Sequence, residues 1–326
     1  MIWTTRPMLC RALLGETATL WLLMFLPASV ALGLGGCAPG DPDSSSASTQ
    51  GDEAPGPSGS GGEASGSGGF PVTIMDASGA SLEFRAPPKR IVSLVPSVTR
   101  TLQALGVQGL LVGRTEYDTA AALALLPSVG GGLEPSLETL LVLEPDLVVR
   151  FAGESDPLTS ARLDAMGIRH MAIRLDRVED VRVLFRDLGT ITGSSSRAEE
   201  LVAGMDAMLS EVRQRVEGRP RVRVAYILGG NPPWVAGPGT FIDELLAAAG
   251  GENSFSDLKA LYGPVSPEEF LVRKIDILLA PEGGEVLLPS GRIPLVRVSP
   301  ALELPGPDLA QAIWQLAQIL HPEVFR

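Results

Sequence analysis

Apolar positions in this chain follow two alternating periods. Short, nearly unbroken runs such as Arg90-Ile-Val-Ser-Leu-Val95, Leu110-Leu-Val-Gly113, Leu147-Val-Val-Arg-Phe151 and Ile168–Ile173 have the length and β-branched content of buried strands. Between and after them the period changes to that of a helix. Pro96-Ser-Val-Thr99 opens one helix that Gly106 ends, and Asp180–Gly189 reads as another. One helical stretch is longer, from about Ser196 to Glu217. Leu201, Met205, Met208, Leu209, Val212 and Val216 form its apolar stripe, Ser196 with Glu199 reads as a capping box, and Gly218 and Pro220 stop it. Such a helix spans roughly 33 Å, the width of a small domain.

Similar sequence lies on both sides of that helix. Ser136-Leu-Glu-Thr-Leu-Leu-Val-Leu-Glu-Pro-Asp-Leu-Val-Val149 aligns without a gap on Ser266-Pro-Glu-Glu-Phe-Leu-Val-Arg-Lys-Ile-Asp-Ile-Leu-Leu279. Glu138 falls on Glu268, Leu141-Val142 on Leu271-Val272, and Asp146 on Asp276. Each copy reads as an N-capped helix, a turn and a buried strand. Each half also opens alike, with a strand at Arg90–Val95 or Arg223–Leu228 and then a helix, the second from about Thr240 to Gly250. A repeated β-α…α-β unit predicts an α/β fold: two Rossmann-like lobes with parallel sheets, joined by one long backbone helix, with a ligand cleft between the lobes. The boundaries expected are 70–176 for the first lobe, 177–219 for the helical linker and 220–326 for the second lobe. A small hairpin at Phe70–Phe84, turning near Gly79, precedes the first strand.

The first 69 residues have a different character. Arg6 and Arg11 precede an apolar run from Leu20 to Leu34, and Leu34-Gly-Gly-Cys37 follows. This reads as a secretory signal over residues 1–36, and its ending resembles a bacterial lipobox, which makes Cys37 the lipidated first residue of the mature chain. Residues 38–69 are nearly all Gly, Ser, Pro, Ala, Asp and Glu, a composition that cannot bury a core. They read as a flexible tether with an end-to-end distance of roughly 30 Å. The expected location is the cell envelope, on its periplasmic or extracytoplasmic side, anchored to a membrane by lipid.

Charge and side-chain chemistry narrow the function classes. Loss of residues 1–36 removes two Arg and one Glu, leaving 24 basic against 37 acidic side chains and a net charge of −13. That balance argues against nucleic acid as a partner. Cys10 and Cys37 are the only cysteines, so no disulfide is expected in the mature fold. His170 and His321 are the only histidines, too few and too separated for a zinc carrier. No Gly-x-Ser-x-Gly or His-Glu-x-x-His occurs, and no Lys-Ser/Thr follows Gly130-Gly-Gly132 to make a phosphate loop. Neither a catalytic residue, a metal site nor a cofactor is expected, and the chain does not read as an enzyme.

Tyr117, Phe151, Trp234 and Tyr262 stand where strands end or helices begin, in a chain with few aromatics. That edge of an open α/β sheet is where ligands bind. Aromatic faces there suit a large, flat, partly apolar ligand. Glu138 and Glu268 lie in first helical turns, where a carboxylate favours the helix dipole. As repeat-related residues they also suit a two-fold partner carrying arginines.

Taken together, Arg90-Ile-Val-Ser-Leu-Val-Pro-Ser-Val-Thr99, Val129-Gly-Gly131, Pro135-Ser-Leu-Glu138, Leu143-Glu-Pro-Asp-Leu-Val148, Gly250-Gly-Glu-Asn253, Val265-Ser-Pro-Glu268 and Pro305-Gly-Pro307 with His321-Pro322 resemble the substrate-binding lipoproteins of ABC importers. The group is the one with a helical backbone between lobes, serving vitamin B12, haem and iron–siderophores, and the resemblance covers residues 88–326. It is strongest to the vitamin B12-binding members. The resemblance implies a cobalamin or related corrinoid as ligand, with haem or a ferric siderophore as the alternative. It places Tyr117, Phe151, Trp234 in the Asn231-Pro-Pro-Trp234 loop, and Tyr262 on aromatic ligand-contact positions. It makes Glu138 and Glu268 the carboxylates that dock onto a dimeric permease with its ATPase, with the binding protein itself a monomer. The chain departs from those members at Gly132, where an aromatic contact falls, and at Pro300 and Leu304, where Asp and Arg contacts fall. A lipid-anchored scaffold or an enzyme-like module on the same fold is the reading from a different class. A continuous helical spacer is stiff, so lobe closure on ligand binding is expected to be small; apo and loaded X-ray scattering curves that differ by a wide domain rotation would contradict this.

Overall fold

The computed structural model describes residues 69–153, 157–283 and 293–325; the proposed signal, Cys37 and the tether up to residue 68 lie outside these. An antiparallel hairpin, β1 (Val72–Met75) and β2 (Ser81–Phe84), comes first, turning at Gly79 with φ 84°. The first lobe then runs β3 (Ile91–Ser93), α1 (Pro96–Ala104), β4 (Leu111–Gly113), α2 (Leu137–Leu143), β5 (Leu147–Phe151), α3 (Pro157–Ala165) and β6 (His170–Ile173). Two helices follow, α4 (Val178–Thr192) and α5 (Ser195–Val216). The second lobe comprises β7 (Val222–Gly229), β8 (Trp234–Ala236), α6 (Phe241–Ala248), β9 (Gly251–Asn253), β10 (Tyr262–Pro264), α7 (Glu269–Val272), β11 (Ile277–Pro281), β12 (Leu295–Val298) and α8 (Leu309–Leu320).

The repeat seen in sequence is a repeat of topology. The first sheet has the order β4-β3-β5-β6, all parallel, and the second contains β9-β7-β11-β12, parallel in the corresponding order. The aligned aspartates do the same work in each lobe. Asp146 accepts the Arg90 N–H at 3.0 Å, and Asp276 accepts the Arg223 N–H at 2.9 Å. In return the N–H groups of Asp146 and Asp276 each reach the carbonyl of that arginine at 2.9 Å. Each pair of bonds fixes where the second strand of a unit joins the first.

The second sheet is not wholly parallel as the pattern predicts. β8 pairs antiparallel with the end of β7, and β10 pairs antiparallel with β8. β7 is long enough to take β9 along residues 222–224 and β8 along 227–229. Gly and Pro around Trp234 mask this three-residue strand, which is held by burial of Val235 and Ala236. Thus Tyr262 lies in a strand rather than merely ahead of a helix. α3 was not evident either, because its inward contribution is little more than Thr159 and Leu163.

Two capping expectations are corrected. α5 starts at Ser195, and Glu199 pairs with Arg186 of α4 at 2.9 Å instead of closing a box with Ser196. The antiparallel neighbour supplies a charge that the local sequence does not reveal. In the first lobe Ser136 caps α2, its hydroxyl accepting the Thr139 N–H at 3.2 Å. Ser266 caps nothing: the Glu269 N–H bonds its carbonyl in a turn through Pro267, and α7 is only four residues long.

The core explains the layout. One continuous cluster joins Ile91, Val98, Leu147 and Val149 of the first lobe to Val224, Tyr226, Leu245, Leu279 and Leu316 of the second, through Val181, Leu184, Phe185 and Leu188 of α4 and Ala198, Val202, Met205, Leu209 and Val212 of α5. The buried stripe of α5 includes Ala198 and Val202, while Leu201 and Met208 are only half-buried. The other face of each sheet packs on a private cluster: Val92, Leu94, Leu140 and Val148 in one lobe, Ala225, Ile227, Phe270 and Leu278 in the other. Strand alternation divides the residues between the shared and private clusters.

Two packing details carry tests. Asp187 of α4 is largely withdrawn from water, in a hollow that also takes Met171, Val183, Leu184, Arg174 and Asp180, and burial pushes its carboxyl up to about 6. The folded state therefore holds this proton more tightly than the unfolded chain does. The Asp187 carboxylate opposes folding above pH 6, and the effect disappears as pH falls below about 4. Asp187→Asn is expected to raise stability at pH 7.5 by about 1–2 kcal/mol, after allowance for its exposed part, and to give no gain at pH 4 in thermal melts. Gly132 lies so close to the β3–α1 junction that a β-carbon would stand 2.2 Å from the Leu94 carbonyl oxygen. The Leu94 N–H is bonded to the Val149 carbonyl at 2.8 Å, which prevents retreat. Gly132→Ala is expected to cost about 1–3 kcal/mol in urea denaturation, against little for Gly131→Ala, whose β-carbon would meet only the Glu116 side chain at 3.6 Å.

Candidate functional site

Each lobe carries a cavity at the carboxyl edge of its parallel strands. In the first lobe a cavity of about 640 Å³ is lined by Pro96, Glu116, Tyr117, Glu134, Phe151, Leu158 and Arg162, among others. Phe151 is the last residue of β5 and is half-buried. Tyr117 rides on a pinned turn after β4. Asp118 accepts both the N–H and the hydroxyl of Thr115, at 2.9 and 2.7 Å, and the Glu116 N–H bonds the Gly130 carbonyl at 3.0 Å. The fixed backbone holds a ring that is 64% exposed. An aromatic ring held at the surface on a rigid turn loses little conformational freedom on stacking and is suited to it.

In the second lobe a cavity of about 380 Å³ is lined by Leu228, Gly229, Gly230, Trp234, Phe241, Ile242, Tyr262 and Glu303. The β8–β10 pairing sets Tyr262 opposite Ala236, two residues from Trp234. Gly230 is required: its φ is +86°, and a β-carbon would stand 3.0 Å from the Trp234 ring. The sequence-predicted aromatics thus fall into two pairs, Tyr117 with Phe151 and Trp234 with Tyr262, one pair per lobe.

The chain beyond each cavity makes a contact between the lobes. Pro96 lines one and Glu303 the other. Between them Gly306 approaches Ser97, and Asp308 pairs with Arg100 of α1. A second crossing lies at the start of α4, where Glu244 of α6 accepts the Val178 N–H at 2.9 Å and pairs with Arg177 at 3.0 Å.

Glu303 is the residue the sequence did not disclose. It ends a 3-10 turn, Pro300–Glu303, which follows β12, and brings a carboxyl to an otherwise apolar wall. Its Oε1 is buried beside the hydroxyl of Tyr226; the two are each other's neighbours but meet without good hydrogen-bond geometry. Burial pushes the Glu303 carboxyl up, and Tyr226 partly offsets this. Burial also raises the Tyr226 and Tyr262 hydroxyls, so both stay protonated. A buried polar atom left unsatisfied costs about 1–3 kcal/mol, which a ligand group of matching polarity recovers. The positions expected to carry polar contacts here, 300 and 304, hold Pro and Leu. One residue aside, a short turn delivers an acid that no spacing rule marks.

Glu138 stands exposed in the first turn of α2, and Glu268 stands exposed just before α7. Among the described residues neither forms an ion pair, and Glu268 is held below the usual range by backbone and Ser266 hydrogen bonds. The histidines are packing groups. His170 Nδ1 accepts from Arg150 at 3.2 Å, and His321 is buried against Gly250. Among the described residues no cluster of His, Cys, Asp and Glu could hold a metal, and no helix is long and apolar enough to cross a membrane.

Comparison with known proteins agrees with this architecture. The chain is 30% identical over 218 residues to a cobalamin-binding protein of Halobacterium salinarum, a match covering 64% of this chain and 58% of that relative. It is 26% identical over 278 residues to an uncharacterized ABC transporter substrate-binding lipoprotein of Bacillus subtilis, covering 79% of this chain and 88% of the other. Among solved structures it is similar to the apo form of a periplasmic heme-binding protein from Roseiflexus, with a TM-score of 0.60 and 27% identity over 73% of this chain and 99% of that one. The family described as periplasmic binding protein matches residues 91–284. With two topologically repeated lobes, a cavity on each carboxyl edge and more than half its length within that match, the chain belongs to the periplasmic binding protein family.

Proposed function

We propose that this protein is the substrate-binding lipoprotein of an ABC importer, that it captures a corrinoid such as cobalamin, and that it presents the ligand to a dimeric permease. The observation that carries this reading is the pair of aromatic-lined cavities on the carboxyl edges of two equivalent sheets. Tyr117 and Phe151 on one side, with Trp234 and Tyr262 on the other, suit the faces of a large planar ring system. The cavity linings suit binding, and among the described residues that line them no nucleophile stands beside a base.

Glu303 favours a corrinoid over haem. A corrinoid is rimmed by neutral amides, whose N–H groups can donate to the Glu303 carboxyl, which the Tyr226 hydroxyl meets only with poor geometry. Haem carries two carboxylates, which a second carboxyl in an apolar wall disfavours. The observation that supports haem or another anionic ligand is Arg162, exposed at the rim of the first-lobe cavity and without an ion-pair partner among the described residues. Haem or a ferric siderophore is therefore the second reading. Lipidation of Cys37 would hold the protein at the outer face of a membrane, consistent with the lipoprotein relative in Bacillus subtilis.

Titration calorimetry with cyanocobalamin is the test. Saturable one-to-one binding is expected, weakened about tenfold or more by Trp234→Ala and by Glu303→Leu, which is about 1.4 kcal/mol or more. No heat at high cyanocobalamin would discard the corrinoid and turn the same titration to haem and ferric siderophores.

A further inference from the structure

The helix that carries Glu138 and the one that Glu268 immediately precedes also carry exposed apolar side chains, at the same offsets from the two acids. Leu141 and Val142 are 55% and 82% exposed; Leu271 and Val272 are 61% and 77% exposed. They stand three and four positions after Glu138 and Glu268 respectively, so each apolar pair shares a helix face with its acid. The inward positions of the same helices are filled, by Leu140 and Leu143 in α2 and by Phe270 in α7. The outward Leu-Val pairs therefore have no part in the core. Single exposed apolar residues need no explanation, but a contiguous pair beside an unpaired acid, present twice, marks a contact surface.

The fold makes the two patches equivalent. α2 leads into β5 and α7 into β11, which hold the corresponding place in the two sheets. A single chain that offers one patch twice fits a partner that offers its own surface twice, which is a protein with a two-fold axis. The chemistry of each patch specifies the partner's half: a basic side chain for the free carboxylate, next to an apolar recess for a Leu-Val pair. We propose that Leu141-Val142 and Leu271-Val272 are the apolar anchors by which the two lobes seat on the two subunits of the permease, with Glu138 and Glu268 setting orientation beside them. This rests on the transport reading above and names the surface through which that partner is engaged. The division of labour follows from physics. Exposed charges steer and align but are screened by salt, whereas apolar burial is not.

The test measures docking of the detergent-solubilised full chain, without ligand, onto a candidate permease–ATPase complex of the same organism, reconstituted in nanodiscs. Leu141→Ser, Val142→Thr, Leu271→Ser and Val272→Thr combined are expected to weaken docking at least tenfold at both 0.1 M and 0.5 M NaCl, with an unchanged melting temperature. Glu138→Ala with Glu268→Ala is expected to weaken docking at 0.1 M NaCl and to match the unsubstituted protein at 0.5 M. Substituting only the first-lobe pair, or only the second, should each cost part of the loss. If the unsubstituted protein docks and the four-residue variant docks equally well, the anchors are refuted. If only one lobe's pair matters, the two-fold seating is refuted. If the unsubstituted protein does not dock at all, the transport reading itself fails and takes this inference with it.

Discussion

The antiparallel packing of α4 on α5 is the interaction on which the other features depend. Valine, leucine and phenylalanine of α4 meet alanine, valine, methionine and leucine of α5, and both helices continue into the cores of the sheets they join. The seam is edged by Arg182–Asp206 at 2.5 Å and Arg186–Glu199 at 2.9 Å. Exposed pairs of this kind contribute little energy, so the apolar seam holds the helices and the ions set their register. Gly189 allows the close approach: a β-carbon there would stand 2.5 Å from that of Ala198. A densely packed core shared by both lobes resists bending, because separation of the lobes would open it.

That shared core assigns a role to every face of the sheets. One face of each lies on the helical layer, and the other on a private cluster closed by α2 or α7. The carboxyl edges are left, and both cavities form there. The same arithmetic leaves one face of α2 and of α7 turned outward. The cavities and the outward helix faces are thus different surfaces of a common frame, and the repeat in topology is what gives each of them two copies.

The cavity of the second lobe sets a single acidic group in an apolar wall. Its wall is Leu228, Trp234, Phe241, Ile242 and Tyr262, among which one carboxyl, that of Glu303, has only the poorly aligned Tyr226 hydroxyl to meet it. In water such a group is ordinary. Among apolar neighbours its unsatisfied oxygen prefers a donor strongly, and raised proton affinity is the same preference expressed by the simplest donor available. The Tyr226 hydroxyl lies behind it, itself without a well-formed hydrogen bond, so the pair is built incomplete.

Much of this was legible in the chain. The two ungapped segments after Ser136 and Ser266, the strand-initiating Arg90 and Arg223, and the long helical stripe around Met205 and Val212 determine two α/β lobes and their linker, because periodicity and punctuation report local burial directly. The aromatics and the two repeat-related acids were visible as residue types out of place in composition or doubled by alignment. Other features depend on residues distant in sequence. The pairing of Glu199 with Arg186 replaced a capping box, since a packed neighbour offers a full charge where the helix end offers a partial one. Strands β8 and β10 exist because β7 extends past β9 and leaves an edge to be covered. The division of four aromatics into two cavities, and the delivery of Glu303 into one of them, follow from which strand ends lie side by side. Local sequence sets what each segment is able to bury; only the tertiary structure decides which polar groups are buried side by side and how well they meet.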